Sequence, residues 1–355
     1  MKYYSTNGKA PLASLEKAVV QGLAEDRGLY MPERIVPLSP EFLTHLGDYS
    51  FQDIACRVAD CFFGEDVPQD QLHALVRDTL SFDVPLVEVA PNIYSLELFH
   101  GPTLAFKDVG ARFMARLLGH FIRQSGEQRL VATSGDTGSA VANGFLGVPG
   151  IHVYVLYPKG KVSPIQECQF TTLGQNITAL EIDGVFDDCQ ALVKSAFMDH
   201  ELTSHMRLTS ANSINVARFL PQSFYYFYAC AQLQRMGKQD RVVACVPSGN
   251  FGNICSALIG KRMGLPVSRF IAANNANDVF YKYLQTGEYA PMASLQTIAN
   301  AMDVGDPSNF ARILDLYGHS VEAIRADIAG ATFSDAQGSA PVHCASRNCL
   351  KSWKS

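Results

Sequence analysis

The chain has 355 residues, 47% apolar and 18% charged, enough at ~150 residues per domain for roughly two domains with real cores. That balance excludes a wholly disordered or collagen-like polypeptide. With 29 basic against 34 acidic residues the net charge is -5, and without a Lys/Arg run there is no positive field for a phosphate backbone, so nucleic acid is not an expected partner.

The opening MKYYSTNGKAPLASLEKA lacks the continuous apolar core of a secretory signal, so the cytoplasm is the expected compartment. The nine cysteines are an odd number scattered through apolar stretches, as free thiols are in a reducing compartment. The longest apolar stretches, at 141–157 and 219–231, are interrupted by Gly, Pro, His or Gln and fall short of the ~20 residues of a membrane helix, so no membrane contact is expected.

The first ninety residues are punctuated by Pro11, Pro32, Pro37, Pro40, Pro68 and Pro85, with amphipathic helices expected at 14–23 and 69–80. They are read as an N-terminal domain, 1–90. Strand and helix patterns then alternate: RLVATS before TGSAVANGFLG, HVYVLYP before SPIQECQFTTLG, ITALEIDG before DDCQALVKSAFM, RVVACVPSG before NICSALIGKRMG, and then RFIAANN. Short β-branched runs in this alternation predict an α/β fold of open, mostly parallel sheets flanked by helices over 91–337. Ligands collect at the carboxyl ends of such strands.

Two strand-to-helix turns there carry glycine with small polar residues. In PSGNFGN, residues 247–253, glycines permit close backbone approach and the helix start offers unpaired N–H groups, a combination suited to phosphate. A tight turn with a Ser or Asn cap has the same composition. No Gly-Lys-Ser/Thr follows, so it is not a Walker loop. The second turn, TSGDTG at 133–138, adds hydroxyls and a carboxylate, and also reads as a capped helix start. Two such turns at the same edge of one sheet could hold two anionic groups at once, and 91–337 is read as two α/β subdomains.

Lys107 ends the run Leu104, Ala105, Phe106 and heads a helix whose Val109, Phe113, Leu117 and Phe121 share a face. Desolvation and the positive dipole end both disfavour an ammonium there, which suits an amine nucleophile and proton shuttle; taken alone, a lysine snorkelling to solvent fits as well.

Taken together, YYSTNG, GLAEDRGLYMPE, FHGPTLAFKD, TSGDTG, LYPKGKVSPIQE, SANSINVARF, PSGNFGN and NAMDVGDPSNF resemble the threonine synthase family of pyridoxal-phosphate enzymes, in the tryptophan-synthase-β-like group, from residue 1 to about 337. The resemblance implies that fold, pyridoxal 5'-phosphate as cofactor, and a β,γ-replacement turning O-phospho-L-homoserine and water into L-threonine and phosphate. It implies that Lys107 binds the cofactor covalently. Ser248, Gly249, Asn250, Phe251, Gly252 and Asn253 would cradle its phosphate, and Asp136 stands where many relatives place an Asn near the phenolic oxygen. Ser213 and Arg218 match positions that hold the substrate phosphate, joined by Ser134, Thr137 and Asn250; a guanidinium with several hydroxyl or amide donors suits a dianion.

From Gly338, GSAPVHCASRNCLKSWKS matches nothing in the family pattern and has neither helical nor strand periodicity. The expectation is an altered, truncated end over 338–355, without the last strands of the large domain and the hydroxyl that faces the pyridine nitrogen, and hence impaired activity. Cys344, Cys349 and His343 lack a further ligand pair, so no metal is expected. Two alternatives to the synthase are a serine or threonine dehydratase of the same cofactor group, which would not need the pair Ser213 and Arg218, and an inactive cofactor-binding remnant.

Overall fold

Two parallel sheets form from the β-branched runs. In a computed structural model, which describes residues 1–125, 128–133, 136–184, 186–205, 207–332 and 343–344, the first sheet places Ile177–Ile182, Ile151–Pro158, Gln128–Thr133 and Leu208–Ser210 side by side. All of its neighbours run parallel, as strand–helix–strand crossovers require. The second sheet pairs Val242–Pro247, Val267–Asn274 and Ile328–Thr332 in parallel, with the short His343–Cys344 antiparallel to the last.

The strands that precede the two glycine turns therefore belong to different sheets, so the two turns do not share one edge. Between the sheets the chain runs through Val216–Phe219 and then Ser223–Arg235, a helix with nine of its thirteen residues buried. SFYYFYACAQL is apolar or aromatic nearly all round, so the helix is buried within the molecule instead of serving as one layer on a sheet face.

The first residues form a small antiparallel sheet from Lys2–Ser5, Ala13–Ser14 and Tyr30–Pro32. Leu15–Gln21 follows Ser14, whose hydroxyl accepts from Lys17 N, and Gln69–Thr79 lies where the apolar spacing placed a helix. Phe51–Phe63, capped by Ser50, buries Phe51, Ile54, Ala55, Val58 and Phe62 on its inward side. Tyr3, Phe63, Phe113, Phe145, Phe224, Ile254 and Ile328 belong to a single apolar core, so N-terminal segment and both sheets are packed together. Lys107–Ser125 crosses this core, with Val109, Phe113, Leu117 and Phe121 buried as the sequence pattern requires. Among the described residues no helix is long and apolar enough to cross a membrane.

Candidate active site

Lys107 opens its helix, and the loop before it and the first turns after it are tied down at three places. Asp108, the next residue, is buried; its carboxylate accepts from Thr103 N at 2.9 Å and from Thr103 Oγ1. Desolvation raises the Asp108 pKa despite these bonds. Tyr225 Oη donates to the Phe106 carbonyl, and Arg112 donates to the Thr79 carbonyl at 3.1 Å and the Asp78 carbonyl at 2.8 Å. Lys107 itself is half-buried. Its Nζ donates to Thr137 Oγ1 at 2.9 Å and stands 5.6 Å from the Phe106 ring centre. Thr137 lies in the first turn of the helix Asp136–Phe145. Ser134, Gly135 and the Asp136 side chain lie outside what the structure describes.

The second turn follows Val242–Pro247 and enters the helix Gly252–Arg262. Ser248 is spent on the turn itself: its N–H donates to the Ala273 carbonyl at 2.8 Å and its hydroxyl to the Val246 carbonyl at 2.8 Å. Phe251 takes a left-handed φ of 63° and buries its ring against Phe280. That conformation is uncommon for a bulky residue. Among the described residues, none of the backbone N–H groups from Gly249 to Gly252 donates to a protein acceptor. Asn253 points its side chain away, accepting from Tyr226 Oη and donating to Gln222 Oε1 at 3.0 Å, so only its backbone belongs to the turn.

The segment Ser213 to Arg218 joins the two places. A Cβ on Gly110, one helical turn beyond Lys107, would come 2.5 Å from the Arg218 carbonyl oxygen, and a Cβ on Gly252 would come 3.0 Å from Ser213 Cβ. Tyr225 and Tyr226, neighbours on one helix, make the same link a second time through Phe106 and Asn253. Ser213 Oγ accepts from Asn250 Nδ2 at 2.9 Å. Arg218, expected alone to be an ordinary helix-end arginine, is buried and donates to the Ala211 carbonyl.

Sequence reasoning did not single out Tyr225, Tyr226, Asn309 or Arg312. Asn309 stands inside NAMDVGDPSNF, whose residues had no role assigned, and its Nδ2 donates to Ser213 Oγ at 3.1 Å and to the Asn250 carbonyl at 2.9 Å. Among the described residues no group of His, Cys, Asp and Glu could hold a metal ion; Cys349 lies outside them.

Two family models match the chain, "Threonine synthase N terminus" over residues 2–80 and "Pyridoxal-phosphate dependent enzyme" over 84–333. The threonine synthase of Escherichia coli is 45% identical over 321 residues, which is 90% of this chain and 75% of that one. The Haemophilus influenzae threonine synthase is 47% identical over 318 residues, 89% of this chain and 74% of that one. The chain belongs to the threonine synthase family. A crystal structure of pyridoxal-phosphate-bound threonine synthase from Brucella melitensis superimposes with a TM-score of 0.87 at 37% identity, covering 94% of this chain and 78% of that one.

As a threonine synthase family member the chain is a pyridoxal-phosphate-dependent lyase with the corresponding α/β fold. Its own residues fit the cofactor. A Cβ on Gly249 would lie 2.8 Å from Met302 Cα, so the turn is closed on one side by backbone. Its N–H groups from Gly249 to Gly252, without a protein acceptor among the described residues, are the donors that a phosphate requires. A primary amine at a helix start is the matching partner for an aldehyde.

Proposed function

We propose that this chain converts O-phospho-L-homoserine and water to L-threonine and phosphate, as a synthase with two parts, 1–90 and 91–337, working in the cytoplasm. The observation that carries the reading is the placing of Lys107 Nζ against Thr137 Oγ1, with the N–H-lined turn at 249–252 tied to the same helix through Arg218, Tyr225 and Tyr226.

In this reading Lys107 binds the cofactor covalently and the N–H groups of Gly249, Asn250, Phe251 and Gly252 hold its phosphate. Once bound, the cofactor supplies an electron sink for charge developing on the substrate carbon chain. Lys107 Nζ is the proton carrier, and Thr137 Oγ1 fixes its direction. Ser213, Arg218 and Asn250, with Ser134 and Thr137, would bind the phosphate ester, and Asp136 is assigned to the cofactor's ring oxygen. The buried Arg218 matches a doubly charged ester, and a dehydratase acting on a hydroxyl substrate would have no use for it.

The test is phosphate release from O-phospho-L-homoserine compared with ammonia release from threonine, on the full chain loaded with pyridoxal phosphate. Phosphate release with formation of threonine, and loss of the visible cofactor band in Lys107→Ala, are expected. Ammonia release from threonine without phosphate release would assign a dehydratase. A band without either turnover would leave a cofactor-binding protein.

A further inference from the structure

Arg312 lies on the helix Phe310–Leu316 with no exposed surface, and no carboxylate pairs with it among the described residues. Its five N–H donors go to neutral acceptors instead. Nε and Nη2 donate to the Tyr30 carbonyl at 3.4 and 3.1 Å, Nη2 also to the Ile214 carbonyl, and Nη1 to the Ser213 carbonyl at 3.1 Å and to Asn309 Oδ1. The Phe219 ring centre is 3.9 Å from its Cζ. Burial lowers its pKa to about 9, which leaves it charged at neutral pH.

This arginine decides which way an amide faces. Because Asn309 Oδ1 accepts from Arg312, Nδ2 turns toward Ser213 Oγ and the Asn250 carbonyl; flipping the amide would set donor against donor at Arg312 and oxygen against oxygen at Asn250. The Asn250 amide is fixed likewise, since its Oδ1 accepts from Ser308 N at 2.7 Å and its Nδ2 faces Ser213. Ser213 Oγ thus receives two amide donors. A hydroxyl has two lone pairs and one proton, so with both lone pairs engaged the proton is left to donate outward.

We infer that Arg312 and Asn309 are positioning residues that commit the Ser213 hydroxyl to donating a hydrogen bond to an oxyanion of the phosphate-ester class. This rests on the reading of Ser213 as a substrate-phosphate residue. An unpaired buried cation alongside adds a positive field that favours the same anion. A hydroxyl left free to choose its acceptors would donate inward part of the time, and one facing a carboxylate would do so always.

The test uses the cofactor-loaded full chain and inorganic phosphate as the probe, with its Kd from calorimetry and its competition against O-phospho-L-homoserine. Ser213→Ala removes a hydrogen bond to a charged group and is expected to weaken phosphate roughly ten- to a hundredfold. Arg312→Lys keeps the charge but not the fork, so a similar loss is expected, with KM raised more than kcat is lowered and the cofactor band retained. The double variant is expected to bind phosphate within about twofold of Ser213→Ala alone, because both act through one proton. Should Arg312→Lys fail to fold, Asn309→Ala removes the Nδ2 donor to Ser213 Oγ without adding a charge; its loss is expected to vanish in the Ser213→Ala background. The inference is overturned by wild-type phosphate affinity in the folded variant, by losses that multiply in the double variant, or by a wild-type chain that binds no phosphate. Turnover of O-phospho-L-homoserine in the same preparation separates the two readings: phosphate release without coupling between 213 and 312 removes only this inference, and coupling without phosphate release removes only the reaction.

Discussion

Replacing Gly110 by alanine tests whether the Lys107 helix must lie directly on the segment that carries Arg218. An added Cβ would stand 2.5 Å from the Arg218 carbonyl oxygen, whereas ordinary contact begins at 3.4 Å, so the two backbones must separate by about 0.9 Å (3.4 − 2.5). The carbonyl cannot simply swing aside, because Gln222 Nε2 donates to it at 2.9 Å. Alanine recovers ~1 kcal/mol of helix propensity while overpacking costs ~1–3 kcal/mol, so the net stability loss is between about zero and 2 kcal/mol. Activity is the more sensitive quantity. Gly110 is one turn from Lys107, and a displacement of this order at a reacting group costs roughly a hundredfold. The expected outcome is kcat/KM for phosphate release down ~100-fold, with a urea midpoint lowered by no more than about 1 M. A variant with wild-type kcat/KM and raised stability would refute the requirement for close contact.

Thr137→Val removes an acceptor of Lys107 Nζ while keeping the shape, so kcat is expected to fall about tenfold with the melting temperature unchanged. Asp108→Ala removes the acceptor of both Thr103 donors, the backbone N–H and Oγ1, in a buried place; a loss of ~1–3 kcal/mol in urea unfolding and weaker cofactor loading are expected. Asp26 accepts from Ser5 Oγ at 2.6 Å and from the N–H groups of Gly28, Lys9 and Ala10, and Ser5 above all holds its pKa near about 2. A folded-state value below the unfolded one contributes stability above the unfolded pKa, ~3.9, that is lost as the pH falls toward 2. Asp26→Asn is therefore expected to flatten the acid limb of a stability–pH curve between about pH 4 and 2; an unchanged limb would refute this account of the opening turn.

The strands and helices that frame the site were legible because their signals are local. β-Branched runs such as HVYVLYP and the Val109, Phe113, Leu117, Phe121 face declare themselves within a dozen residues, and Lys107 heads its helix as read. Which sheet each glycine turn follows was not legible, because sheet membership depends on what lies between strands. Only the burial of SFYYFYACAQL on nearly every side separates the two sheets. Arg312 was illegible for a different reason. In FARILDL a basic residue reads as the solvent side of a helix, and it is buried because carbonyls from Tyr30, Ser213 and Ile214 converge on it from distant parts of the chain.

The Ser213 to Arg218 segment explains why chemistry at a lysine and grip on an anion are not independent here. Its carbonyls are claimed at one end by Arg312 and at the other by Gln222, and glycines bring helices against both ends, Gly252 at Ser213 and Gly110 at Arg218. Gly22 lets the N-terminal segment approach the middle, where a Cβ would stand 3.3 Å from Asn215 Nδ2, itself a donor to the Val19 carbonyl at 2.8 Å. Packed interiors transmit such displacements because they have little free volume to absorb them. A change confined to the N-terminal residues is thereby coupled to the hydroxyl of Ser213 and to the helix of Lys107 through one short stretch of backbone, although Tyr30, Lys107 and Asn309 come from three separate parts of the fold.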